Sequence, residues 1–187
     1  MELETKAIEE VLTRFGSNLI KKARANLSKK GKKAKGTLFD QMSYELEKTP
    51  NGVKFKMDFG SAEDYWEFID QGVQGAGGFK GSGKKRGQGS PFKFGRKQPP
   101  LRAIMPWISI KGIKGRDKKG RFITKESLAF VIARSIKQKG LERTLFISKP
   151  YEDMLEGLKA ELAEAVSQDL EKDIDKSKGK SDKVELM

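Results

Sequence analysis

Apolar residues recur at steps of three and four near the start of the chain. Ile8, Val11, Leu12, Phe15, Leu19, Ala23 and Leu27 form one stripe, which predicts an amphipathic helix from about Glu2 to Leu27. Gly16 is a mild weakness within it, and the lysine-rich link Lys29–Gly36 ends it. The period then changes to two. Tyr44, Leu46 and, less cleanly, Met42 alternate with polar residues, and Thr49-Pro50-Asn51-Gly52 supplies turn chemistry. Val53, Phe55, Met57 and Phe59 follow in strict alternation with Lys54, Lys56 and Asp58, so a β-hairpin is expected.

Asp64–Gly72 is short and aromatic-rich, consistent with a helical turn or a strand running into a glycine. From Gly72 to Gly95 glycine and lysine dominate, with Phe79, Phe92 and Phe94 as isolated apolar anchors. That composition reads as a long mobile loop. A short helix is expected through Leu101, Ile104, Met105 and Ile108, with Pro106 kinking or starting it. Lys111–Arg121 is a basic connection. Thr124 is placed as the N-cap of a helix to about Lys139, stopped by Gly140. After the apolar piece Leu145-Phe146-Ile147 and Pro150, a last helix is expected to about Asp173, through Met154, Leu155, Leu158, Leu162, Ala165, Val166 and Leu170. These elements predict an α+β fold: a small antiparallel sheet flanked by long N- and C-terminal helices, with a basic Gly/Lys-rich, partly helical insertion. Residues 1–175 are expected to form a single domain, 73–125 being the insertion, and 176–187 a flexible tail.

Composition narrows the chemistry. The 187 residues include no cysteine and no histidine, which excludes Ser-His-Asp and Cys-His sites, disulfides and the usual zinc sites. The amino terminus lacks an apolar secretory core, and no stretch approaches the roughly 18 apolar residues of a membrane span, so neither a signal nor a membrane role is expected. Between Val73 and Lys125 fifteen Lys and Arg face the single acid Asp117, a local excess of +14 against +13 for the whole chain. Lys21–Lys35 is a second basic run, whereas the carboxyl-terminal third is nearly balanced and rich in Glu and Asp. Such asymmetry points to a basic face meeting something anionic, either nucleic acid or an acidic protein surface. The plainer alternative is a solvated basic loop.

Gly78-Phe79-Lys80-Gly81-Ser82-Gly83-Lys84-Lys85 meets the first part of a P-loop. Lys85 stands where a magnesium-binding hydroxyl belongs, no apolar strand precedes it and no second acid follows, so chance in a Gly/Lys-rich loop explains it better. Glu67 with Asp70, and Glu161 with Glu164, sit at helical spacing and read as solvated faces rather than acid–base pairs. Asp70, next to Gly72, is also suited to binding a backbone amide at a turn. No catalytic residue, cofactor or metal is assigned. Basic residues interleaved with Phe79, Phe92, Phe94, Trp107 and Phe122 suit nonspecific phosphate contact and base stacking, without any sequence-reading motif. Trp66 reads as core or subunit contact.

The order of features resembles the neck and tail-completion (minor tail, head–tail joining) proteins of tailed bacteriophages. Gly36-Thr37-Leu38-Phe39-Asp40-Gln41-Met42-Ser43 after the first helix is similar to that family's "Gly, small, Leu, then strand" segment. Tyr65-Trp66-Glu67-Phe68-Ile69-Asp70-Gln71-Gly72 resembles its "Tyr-Ala-x-x-Val-Glu-x-Gly" signature. Phe146-Ile147 with Pro150 and the last helix is similar to its closing "Pro-Phe-Leu" and terminal helix, although the proline here follows the apolar pair. The span Val73–Gly140 is longer than in the simplest members, and Trp107–Ile113 resembles a piece of longer phage variants. The resemblance implies a non-enzymatic virion protein made in the host cytoplasm, forming a homo-oligomeric ring between head and tail and meeting portal, connector or tail proteins. A stand-alone nonspecific nucleic-acid-binding protein is the alternative. Expected contacts with an anionic surface are Lys80, Lys84, Lys85, Arg86, Lys93, Arg96 and Lys97; expected subunit contacts are Phe79, Phe92, Phe94, Trp66 and Trp107.

Overall fold

The computed structural model describes residues 5–30, 37–50, 52–77 and 86–184, with backbone alone after Asp175. Helix α1 (Lys6–Lys29) buries Val11, Leu12, Phe15, Leu19, Ala23 and Leu27 on one face, the stripe that the sequence pattern predicts. A single turn, α2 (Thr37–Asp40), leads into strands β1 (Ser43–Thr49) and β2 (Gly52–Asp58). These pair antiparallel, with Tyr44 opposite Met57 and Leu46 opposite Phe55, so the alternating apolar residues of both strands share one face. That face rests on α1. Gly16 provides the seat: a Cβ there would lie 2.7 Å from Tyr44 Cδ1 and 2.9 Å from Phe55 Cε2. What propensity marks as a weakness is therefore the slot that admits the two stacked rings, 5.6 Å apart.

After a 3₁₀ turn at Gly60–Ala62, helix α3 (Trp66–Gln71) settles the 64–72 segment as helical, and Gly72 ends it at φ 69°. Helix α6 (Ser148–Val184) lies antiparallel along α1. Arg14 meets Glu161 at 2.5 Å, and the Asn26 amide donates to the Phe146 carbonyl at 3.3 Å. Its backbone continues well past the expected end at Asp173. The main core gathers Phe15, Leu19, Leu27, Leu38, Met42, Phe59, Phe146 and Ile147 between these elements.

Two buried carboxylates fasten the helix starts. Asp169 is 2% exposed and accepts from the Ala7 and Ile8 amides of α1 at 3.0 and 3.1 Å, a cap supplied from within α6 where the Thr5 side chain gives none. Asp70 is wholly buried and accepts from the Ile147 amide at 3.0 Å and from the Ser148 hydroxyl at the start of α6. Backbone amide binding, one of the two roles considered for Asp70, is thus its role; the solvated-face reading is corrected.

A second, smaller core joins α4 (Leu101–Lys111) to α5 (Lys125–Lys139), with Ile104 and Ile108 packed on Ala129 and Ala133. Alanines on α5 let the two helices approach closely. Thr124 caps α5, accepting from the Ser127 amide at 3.2 Å. Helix α4 begins directly after Pro100, ahead of Pro106, which neither starts nor ends it. The fold is α+β, as the sequence pattern predicts, with the sheet content divided between the hairpin and a short antiparallel pair, β3 (Val73–Gln74) and β4 (Gly140–Leu141).

A basic groove as the candidate functional site

The β3–β4 pair and the segments beside it fasten both flanks of the stretch from Gly72 to Gly95, whose composition reads as a mobile loop. Residues 78–85 lie outside the described residues. The amides of Ala76, Gly77 and Arg86 donate to the carbonyls of Lys137, Gln138 and Lys139 at 2.9, 3.2 and 2.8 Å, taking up acceptors that α5 leaves open at its end. On the other edge Gln74 donates to Phe92 at 2.8 Å and accepts from Phe94 at 3.0 Å. Buried Ser90 donates its hydroxyl to the Gly72 carbonyl at 2.8 Å and accepts from the Phe92 amide at 3.0 Å. Phe68 and Phe92 meet edge to face, 4.7 Å apart.

Such close backbone packing requires glycine. A Cβ on Gly75 would be driven into the Gln138 carbonyl oxygen and lie 2.7 Å from Gly140 N; one on Gly140, at φ 86°, would meet the Val73 carbonyl. Composition alone gives glycine the look of a loop-former, whereas here its missing side chain lets segments touch. That is the physical reason both flanks are ordered where composition reads loop.

This knot holds open a groove of about 550 Å³ between Ala76–Gly77, Arg96 and the outer face of α5. Phe130, Arg134 and Lys137 line it from α5 at steps of four and three, hence on one helix face. The Lys137 ammonium donates to the Arg96 carbonyl at 2.5 Å and ties the third cation's segment alongside. Phe130 is 49% exposed. Among the described residues no acid lines the groove. The ion pairs among the described residues draw on none of Arg86, Lys93, Arg96, Lys97, Arg134 or Lys137. Asp117, the one acid of the insertion, is occupied locally: it accepts from the Lys119 and Arg121 amides at 2.8 and 2.9 Å. Its carboxyl is held below the usual carboxylate range, chiefly by the Arg121 backbone bond. The groove therefore offers guanidinium and ammonium groups with no ion-pair partner among the described residues, beside an aromatic ring, an arrangement suited to binding carboxylates or phosphates.

The expected site residues divide. Arg96 lines the groove, and Arg86, Lys93 and Lys97 are exposed on the segments around it. Lys80, Lys84, Lys85 and Phe79 lie outside the described residues, as does the whole P-loop-like stretch Gly78–Lys85. Phe92 and Phe94 are half-buried. Trp66 is half-buried with its ring stacked on Phe59 at 4.3 Å, so much of its apolar area serves the core. Trp107 is 39% exposed on α4. Phe130, Arg134 and Lys137 were missed, although their four-three spacing on the side of α5 away from Leu128 and Ile132 was a readable signal.

Among the described residues no cluster of three potential metal-ligating side chains occurs. Glu67 is exposed apart from buried Asp70, and Glu161 is paired with Arg14, so neither carboxylate couple forms an acid–base pair. No helix among the described residues is long and apolar enough to cross a membrane. No known protein family matches this chain, and neither the curated proteins nor the solved structures contain a match to it.

Proposed function

We propose that this chain is a structural subunit of a phage neck or tail-completion ring, joining head or portal to tail by contact and without catalysis. One observation carries the reading beyond the motif order. Large apolar side chains stand exposed: Trp107 and Ile110 on α4, Phe122 on the connection to α5, Phe130 and Val131 on α5, and Val166, Leu170 and Ile174 in a row on α6. Apolar exposure of this kind is a cost to a solitary chain and an asset to one covered by neighbours. The short hairpin, with two free edges, adds backbone groups for a neighbour to pair.

The alternative, a stand-alone nonspecific nucleic-acid-binding protein, is favoured by the unpaired cations of the groove. Mass photometry across a concentration series, with a salt titration on a short DNA duplex, separates the two. A ring subunit gives closed multimers, either alone or on purified portal. A chain that stays single under all these conditions, yet binds duplex with steep salt dependence, would refute the ring reading.

A further inference from the structure

We infer that the basic groove receives helix α6 of a second copy of this chain, so that the ring closes by a head-to-tail contact between unlike surfaces; this rests on the ring reading. The two surfaces match in chemistry. From Ser148 to Asp175 the chain carries nine carboxylates against three lysines, a net −6, while the insertion that holds the groove carries +14. Beyond the Glu161–Arg14 pair, Val166, Leu170 and Ile174 recur at steps of four and are 41, 50 and 52% exposed. They form one ridge. Glu164, Glu171 and Asp175 follow at steps of seven and four, all exposed, and form a second ridge beside it. No ion pair among the described residues uses these three acids.

The groove presents the complement. Phe130 gives an apolar floor, and Arg96, Arg134 and Lys137 give cations at its side, with no acid among the described residues of the groove to neutralise them. Within one chain α6 is committed to α1 through Asp169, Glu161 and Phe146, while α5 is committed to α4. The acidic ridge of one copy is thus available to the groove of the next. Because donor and acceptor surfaces differ, each copy offers one of each, and the repeated contact closes into a ring if its rotation allows. A phosphodiester backbone would satisfy the cations but would leave the apolar ridge of α6 and the floor at Phe130 without cover, which is why a second copy is the better occupant.

The test is a charge exchange in the full-length chain. One variant carries Glu164→Lys, Glu171→Lys and Asp175→Lys; the other carries Arg96→Glu and Arg134→Glu. All five positions are exposed and take part in no ion pair among the described residues, so thermal melts should stay near the parent and certify both folds. Each variant alone should self-associate at least tenfold more weakly than the parent by sedimentation velocity. Mixed in equal amounts they should regain multimers, because each groove then meets a ridge of opposite sign. If the parent forms multimers that neither variant weakens, the ring reading stands and this interface is wrong. If the mixture restores nothing, or the groove variant loses only duplex binding while both retain parental self-association, the groove belongs to another partner. A parent that is single in solution and on portal alike removes the ring and this contact together.

Discussion

Gly75→Ala tests the claim that glycine here serves close approach rather than flexibility. The added Cβ meets only backbone: the Gln138 carbonyl oxygen, the Lys139 carbonyl carbon at 2.5 Å and Gly140 N at 2.7 Å. No rotamer change can make room. Overpacking of this kind costs about 1–3 kcal/mol. The forced separation also loosens the bonds from Ala76 to Lys137 and from Gly77 to Gln138, each worth about 0.5–1.5 kcal/mol. The combined loss is about 2–6 kcal/mol, and for a chain of this size the melting temperature should fall by roughly 10 °C. Gly157→Ala is the control: it lies inside α6 with nothing within 4 Å of its Cβ position, so it should stabilise by about 0.5–1 kcal/mol. Circular dichroism melts of the parent and both variants decide the matter. A Gly75→Ala protein melting within about 2 °C of the parent, a change worth under about 1 kcal/mol, would mean that the segments around Gly75 are not packed as described.

Asp169→Ala should destabilise by about 1–3 kcal/mol and speed hydrogen exchange at the Ala7 and Ile8 amides, with Asp169→Asn intermediate because it keeps one acceptor; unchanged exchange would contradict the cap. The Glu9 carboxyl is held below its ordinary value, chiefly by the hydrogen bond from Lys48 and then by Thr5. A depressed folded-state value means that the pair contributes above the ordinary carboxylate range and is lost as pH falls through the lowered value. Glu9→Gln should therefore narrow the difference in urea midpoint between about pH 7 and about pH 3, and an unchanged difference would count against the pair. Reversing Arg86, Lys93 and Lys97 to glutamate should not lower the melting temperature, since none takes part in an ion pair among the described residues; a marked drop would show that the charges are paired inside the fold.

Much of the secondary structure could be read along the chain because it is written in local periods. The three-four stripe from Val11 to Leu27, the alternation from Val53 to Phe59 and the Thr124 cap each state a conformation within one element, where neighbours in sequence are neighbours in space. The uneven charge was equally legible, since counting Lys and Arg needs no structure. Contacts between distant segments were not. Nothing local in Asp169 announces that it caps a helix 161 residues away. Nothing in Gly75 or Gly140 tells a glycine needed for backbone contact from one in a loose loop, because the deciding atoms belong to another segment. The groove follows from that packing: Arg96 comes beside Arg134 and Lys137 only because β3 and β4 draw the insertion onto the end of α5. Which charges exist is a matter of composition, and which of them share a surface is decided by tertiary packing.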